Sequence, residues 1–207
     1  MSEFKLILCD FSESLCAQWK EAFTMYPEVE IKFGRFEDVD FDCVNSPANS
    51  FGLMDGGFDE ALAMYFGQEM VDRVQTRIIT KYGGEQPVGT SEIVRASPTT
   101  DDRIRYVSVT PTMIIPENIS GKDNIYMAMK AMLFTVEQHN NKVERFKLGQ
   151  RINTLVCSGL GTGAGRVSAR EAAFEMAKAY TSFKVRPTQI DWEYATLKYN
   201  FIKNKTK

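Results

Sequence analysis

Residues Phe41–Gly67 read FDCVNSPANSFGLMDGGFDEALAMYFG, and this order of parts leaves few folds open. A short apolar run, Cys43-Val44, enters from Phe41. Asn45 and Asn49 bracket a Ser-Pro, and Gly56-Gly57 sits between Asp55 and Asp59. Beyond the glycines the apolar residues recur at helical spacing, with no further breaker until Gly67. The stretch reads as a buried strand, a polar loop with special backbone geometry and the N-terminus of a helix. Such a loop opens at the carboxyl end of its strand, where open α/β sheets bind ligands, and a helix start favours an anion.

The same rhythm continues on both sides. Phe4–Cys9 reads as a buried strand. Ser12 caps a helix carrying Leu15, Cys16, Trp19, Ala22, Phe23 and Tyr26 on one face, stopped by Pro27. Val29, Ile31 and Phe33 alternate with charged residues as a half-buried strand, and Gly34–Asp40 is an acidic loop. Gln68–Tyr82 is helical and ends at Gly83-Gly84. Ser91–Ala96 and Ile104–Val109 read as strands joined by a polar turn, Ser97–Asp102. Ser120-x-x-Asp123 resembles a capping box for a long helix with Ile125, Met129, Met132, Leu133 and Val136 inward. Ile152–Cys157 is another buried strand, Ser168-x-x-Glu171 opens a further helix, and Thr188–Phe201 is amphipathic or irregular. Strands alternating with helices predict an α/β domain whose mostly parallel or mixed sheet is covered on both faces. With no repeat or low-complexity linker, residues 1–207 are expected to form one domain, with residues 185–207 peripheral.

Composition excludes several function classes. A formal charge of −2 and a pI near 5.6 provide no electrostatic footprint for nucleic acid, and the basic residues Lys203, Lys205 and Lys207 read as a solvated tail. The four cysteines have no CxxC spacing, so free buried thiols and a reducing compartment are expected. His139 is the sole histidine, which leaves little from which to build a zinc centre or a Ser-His-Asp triad. No apolar run approaches a membrane span, and Met1–Asp10 lacks the features of a signal peptide. A cytoplasmic protein without membrane contact is the expectation.

A second strand-to-helix loop runs Ser158-Gly159-Leu160-Gly161-Thr162-Gly163-Ala164-Gly165-Arg166. Glycines at alternate positions let backbone N–H groups face a phosphate, and the helix beginning near Ser168 adds its dipole. The competing reading is a turn that merely needs positive φ. The loop is not a Walker A, for no Lys follows the last glycine, and it fits GxGxxG in no register. In the first loop, Asn45 and Asn49 can offer donors and acceptors to sugar hydroxyls, or can simply make the turn. Gly56 and Gly57 permit close backbone approach. Asp59, in the first turn of its helix, suits the dipole in any protein.

Taken together, VNSPANSFGLMDGGFDEAL resembles the signature of the macrodomain family, and GLGTGAG resembles that family's second, diphosphate-wrapping loop. YGGEQPVGTSEIV and YVSVTPTM look like its paired central strands. The resemblance spans about Gly34–Tyr180 and is nearest the bacterial and phage branch described as Appr-1-p-processing-like. It implies a three-layer α/β/α sandwich with a central mixed sheet that binds ADP-ribose or a derivative, with no cofactor or metal. It further implies that Asn49 contacts the distal ribose and that Gly56, Gly57 and Asp59 line the reactive end. Gly161, Thr162, Gly163 and Gly165 would hold the diphosphate, with Gly159, Ala164 and Asn45 as further contacts. In hydrolytic members an Asp at the position of Asp59 orients or activates water at the anomeric carbon, a task that suits a carboxylate; Asn49 and Asp59 are therefore the candidate catalytic pair.

Three positions depart from the family pattern. Gly34-Arg35 stands where many members carry a Gly-Asp that reads adenine, leaving Glu37 or Asp38 as substitutes. Ala63 occupies a position that is often His in hydrolases. The second loop has Ala164, Gly165 and Arg166 where an aromatic commonly packs on the distal ribose, and Arg166 is a candidate partner for a terminal phosphate. The resemblance leaves open an ADP-ribosyl or ADP-ribose-1″-phosphate hydrolase, a non-catalytic ADP-ribose reader and a structural component. Oligomeric state is not legible.

Overall fold

A computed structural model describes residues 4–96, 103–147 and 149–205. The expected turn Ser97–Asp102 and Lys207 lie outside the described residues. In chain order the elements are β1 (Lys5–Asp10), α1 (Glu13–Ala22), β2 (Glu30–Phe33), β3 (Cys43–Ser46), α2 (Gly57–Phe66) and α3 (Gln68–Tyr82). Then come β4 (Glu92–Arg95), β5 (Tyr106–Val109), α4 (Asn124–Phe146), β6 (Thr154–Cys157), α5 (Ala169–Lys184) and α6 (Trp192–Lys203). The strands form one six-stranded mixed sheet in the order β2-β1-β6-β3-β5-β4. Every neighbouring pair is parallel except β4–β5.

The inner strands β1, β6, β3 and β5 are buried on both faces, and their two-residue period sorts the side chains. Leu6, Leu8, Cys43, Tyr106, Leu155 and Cys157 point to the side covered by α1, α4 and α5, where Trp19, Met129, Met132 and Met176 meet them. Ile7, Cys9, Val44, Val107 and Val156 point the other way, against Leu62 of α2 and Met70, Val74 and Ile78 of α3. The result is a three-layer α/β/α sandwich. Fully burying an aliphatic side chain of this size contributes about 1.5–3 kcal/mol, so the two apolar cores dominate over any single polar contact.

Several local expectations are not met. α1 ends at Ala22, short of Pro27, and the Thr24 hydroxyl donates to the carbonyls of Lys20 (3.1 Å) and Glu21 (2.7 Å). Phe33 lies on the edge strand and is exposed, whereas Phe36 is buried on a single 3-10 turn within the acidic loop. The Ser120/Asp123 capping box does not form. Asp123 makes no side-chain cap bond and instead pairs with Lys203 and Lys205. Ser120 Oγ donates to Glu171 Oε2 (2.8 Å) and the Gly121 N–H to Glu171 Oε1 (2.5 Å). Charged partners from α5 and the chain's end displace the local cap, as charge-assisted bonds are the stronger kind. Ser168 does cap α5, accepting from the Glu171 N–H at 3.2 Å. Most of Thr188–Phe201, which reads in sequence as amphipathic or irregular, belongs to α6 (Trp192–Lys203).

All four cysteines are free and buried. His139 is used structurally: Nε2 lies 2.9 Å from the Gln150 carbonyl oxygen and the ring packs edge-on against Tyr106. Among the described residues no helix is long and apolar enough to cross a membrane.

Candidate ligand-binding site

β3 and β6 are neighbours at the centre of the sheet, so the two loops singled out in the sequence leave it side by side. Between them lies a cavity of about 390 Å³. One wall is Pro47–Asn49 with Asp55–Asp59; the opposite wall is Ser158, Gly159 and Gly161–Gly165, and Thr112, Met113 and Pro116 close an end. Asp10, the last residue of β1, reaches it from the far side of β6.

The first loop is held by its own polar groups. Asn49 Oδ1 accepts from the Phe51 (3.0 Å) and Leu53 (3.3 Å) N–H groups, and Nδ2 donates to the Leu53 carbonyl at 3.0 Å. Its amide lines the cavity while bracing the turn, so the turn-making reading holds in the free protein. Gly52 has φ +63°, and a Cβ there would lie 2.7 Å from Ile78 Cδ1. Gly57 has φ +60° in open space, which favours glycine for conformation alone. Gly56 precedes α2 in extended backbone and supplies no side-chain cap, so no capping side chain occupies the first N–H groups of α2, whose Gly57, Phe58 and Asp59 line the cavity.

In the second loop the glycines have different reasons. A Cβ on Gly159 would meet Leu15 Cδ2 at 2.4 Å, one on Gly161 would meet Ile125 Cδ1 at 2.4 Å, and one on Gly165 would meet the Gly161 carbonyl oxygen at 2.5 Å. Gly163 meets nothing within 4 Å and faces the opening. The Arg166 and Val167 N–H groups close the loop on Gly163 O (2.9 Å) and Gly161 O (3.0 Å). The N–H groups of Thr162, Gly163, Ala164 and Gly165 donate to no acceptor among the described residues. Such a row of free donors can cradle an anion. The helix end at the cavity is that of α2, whose Gly57, Phe58 and Asp59 line it; the first turn of α5 does not.

Asp59 supplies the reactive-looking carboxyl. The residue keeps partial exposure toward the cavity, but the carboxyl itself lies among protein atoms. Burial pushes its pKa up to about 7, assisted by the negative charge of Asp55 and opposed by a 2.6 Å bond donated by Ser46 Oγ. An acid poised near neutrality can take up and release a proton at physiological pH.

Of the residues nominated from sequence, Asn49, Gly56, Gly57, Asp59, Gly159, Gly161, Thr162, Gly163, Ala164 and Gly165 line the cavity. Asn45 does not: it is fully buried, and neither amide atom has a hydrogen-bond partner. Glu37 pairs with exposed Arg35 at 2.7 Å on the 3-10 turn, away from the cavity. Arg166 is exposed, at φ +53°, and is absent from the lining. Asp10, Ser158 and Phe58 were missed as site residues. Their one available signal was position at a strand's carboxyl end or a helix's first turn. Phe58 is the cavity's aromatic, packed edge-on against Phe36.

A three-layer α/β/α sandwich with a ligand cavity at the carboxyl ends of its central strands defines the class of this protein. Within it the chain belongs to the macro domain family, whose model matches residues 44–176. It is similar to an uncharacterized protein of Aquifex aeolicus, 27% identical over 159 residues, covering 76% of this chain and 83% of that one. Among solved structures it resembles the macrodomain of Mycobacterium tuberculosis DarG at 16% identity and a TM-score of 0.57, over 73% of this chain and 89% of that one. It also resembles Thermosipho africanus DarTG in complex with ADP-ribose, at 13% identity and a TM-score of 0.57, over 93% of this chain and 56% of that one. At these identities the structural matches establish the fold.

Proposed function

We propose that this protein binds ADP-ribose or an ADP-ribosyl derivative in the cavity and hydrolyses an ADP-ribosyl bond or ADP-ribose-1″-phosphate. The observation that carries the reading is the row of free N–H groups from Thr162 to Gly165, set across the cavity from Asp59. That arrangement suits a diphosphate cradled on one wall with its distal ribose delivered to the carboxyl on the other. The Thermosipho africanus relative contains ADP-ribose, which supports the ligand class.

In this mechanism Asp59 accepts a proton from water as the water oxygen bonds to the anomeric carbon. The bond to the leaving oxygen breaks, and the leaving group takes up the proton. For the phosphate ester, attack is at phosphorus and the ribose oxygen leaves. Asn49 positions the ribose, and Asp59 must be ionised, so the rate rises with pH through about 7. The second reading is a reader without turnover, favoured by the Asn49 amide being spent on its own loop. The free buried cysteines support a reducing, cytoplasmic setting for either.

Calorimetric titration with ADP-ribose beside ADP and AMP, on wild type and Gly163→Glu, tests the ligand. Binding by wild type that is abolished in the variant is the expected outcome; no heat with wild type rejects the proposal. Turnover of ADP-ribosylated protein and of ADP-ribose-1″-phosphate, with Asp59→Ala as control, then separates enzyme from reader. Full activity in Asp59→Ala would exclude the catalytic role.

A further inference from the structure

Lys203 and Lys205 read in sequence as part of a solvated tail, yet in the fold both are paired. Lys178 Nζ, from α5, holds the carbonyls of Ile202 at 2.9 Å and Asn204 at 2.8 Å, which fixes the backbone on either side of Lys203. From there both ammonium groups reach Asp123, the residue before α4. Lys203 meets its Oδ2, and Lys205 meets its Oδ1 at 2.8 Å. Lys205 also donates to the Lys122 carbonyl and to Glu175 Oε1, each at 3.1 Å, and Glu175 is fully buried. An exposed ion pair contributes little, but one anchored on a buried carboxylate is costly to break.

Asp123 ends a segment that begins at the cavity. Pro116 lines the cavity, and fully buried Ile119 packs against the second loop. The Ile119 N–H donates to the Gly165 carbonyl at 3.0 Å, and Cβ atoms on Gly161 and Gly165 would lie 3.0 and 2.9 Å from the Ile119 side chain. The Lys122 N–H turns the segment back onto the Ile119 carbonyl at 3.0 Å. Neither lysine lines the cavity, so any influence on it passes through this turn. We propose that Lys203 and Lys205 are positioning residues. They form a strap from α6 that holds residues 119–123 down on the second loop, and so keeps its N–H groups from Thr162 to Gly165 in one arrangement. The consequence for binding rests on the ADP-ribose reading; the strap itself does not.

The test is the double variant Lys203→Gln/Lys205→Gln, which removes both charges, beside Lys203→Arg/Lys205→Arg, which keeps them. Hydrogen exchange is read at the Ile119 and Val167 amides, whose acceptors are the Gly165 and Gly161 carbonyls, and each protein is titrated with ADP-ribose. In the glutamine variant, exchange at both amides is expected to speed about tenfold and affinity to fall about three- to tenfold, with Leu155 and Val156 of β6 still protected. The arginine variant is expected to keep the wild-type values. Faster exchange confined to α6 overturns the proposal, because the lysines would then be a local anchor only. Wild-type affinity in the glutamine variant overturns it as well. If wild type binds no ADP-ribose, the proposed function fails alone: faster exchange at Ile119 and Val167 still supports the strap, and unchanged exchange still overturns it.

Discussion

Gly165→Ala and Gly163→Ala, two residues apart in one loop, should have different consequences. The Gly165 methyl would lie 2.5 Å from the Gly161 carbonyl oxygen, 2.9 Å from Gly161 Cα and 2.9 Å from Ile119 Cγ1. Two of these neighbours are backbone, so no rotamer change relieves the contact, and the loop must open by about 1 Å to restore ordinary separations. Opening breaks into the bonds that close it, Ile119 N–H to Gly165 O and Val167 N–H to Gly161 O, both 3.0 Å. Overpacking of about 1–3 kcal/mol plus one weakened backbone bond of about 1 kcal/mol gives about 3 kcal/mol. For a chain of this length that lowers Tm by about 6–12 °C. Gly163 has no neighbour within 4 Å and no left-handed φ, so its alanine variant should stay within about 0.5 kcal/mol of wild type. Urea unfolding of both variants measures the difference as a shift in midpoint at constant m. Equal stabilities would refute the division of this loop into packed and open glycines.

Asp59→Asn keeps an acceptor for Ser46 and removes the charge. The folded-state pKa of Asp59, about 7, lies above its ordinary 3.8, so the native state holds this proton more tightly and ionisation costs stability. That cost is absent below about pH 4, grows between about pH 4 and 7, and is complete above; the variant should raise Tm at pH 8 and leave it unchanged near pH 4. A Tm difference independent of pH would contradict the assignment. Lys178→Met should loosen α6, because Lys178 Nζ donates to the carbonyls of Ile202 (2.9 Å) and Asn204 (2.8 Å) and pairs with buried Glu175 at 3.1 Å. Lys205 still faces Glu175 at 3.1 Å, so the loss is about 2–3 kcal/mol and not the full cost of a stranded buried charge. Hydrogen exchange should speed in α6 and stay slow in β6; α6 protection equal to wild type would count against the anchor.

The sandwich was readable from periodicity because strands buried on both faces and helices with one apolar stripe leave distinct local patterns. Ser12 and Ser168 cap their helices as the sequence suggests, since their partners are three residues away. Ser120 and Asp123 do not, because Glu171 and the Lys203–Lys205 end of the chain reach them first, and neither is close in sequence. The two site loops were likewise visible as strand, special backbone, then helix. Their local chemistry singled out the alternating glycines, whereas Asp59 was nominated only through the resemblance to macrodomains.

Sequence by itself determined the α/β rhythm, the two loops and the residue types they offer. Tertiary structure decided which of those residues meet. Placing β6 between β1 and β3 puts Asp10 against Gly159, nearly 150 positions away along the chain, and sets the two loops across one cavity. It also decided that Gly159, Gly161 and Gly165 are required by close neighbours while Gly163 is left open to the cavity. It turned Arg166 outward, buried Asn45 beyond reach and left the Ser158 hydroxyl unpaired. The physical reason is range. Helix and strand periods are set by neighbours a few residues apart, whereas a cavity wall is the sum of contacts between segments that only the sheet order brings together.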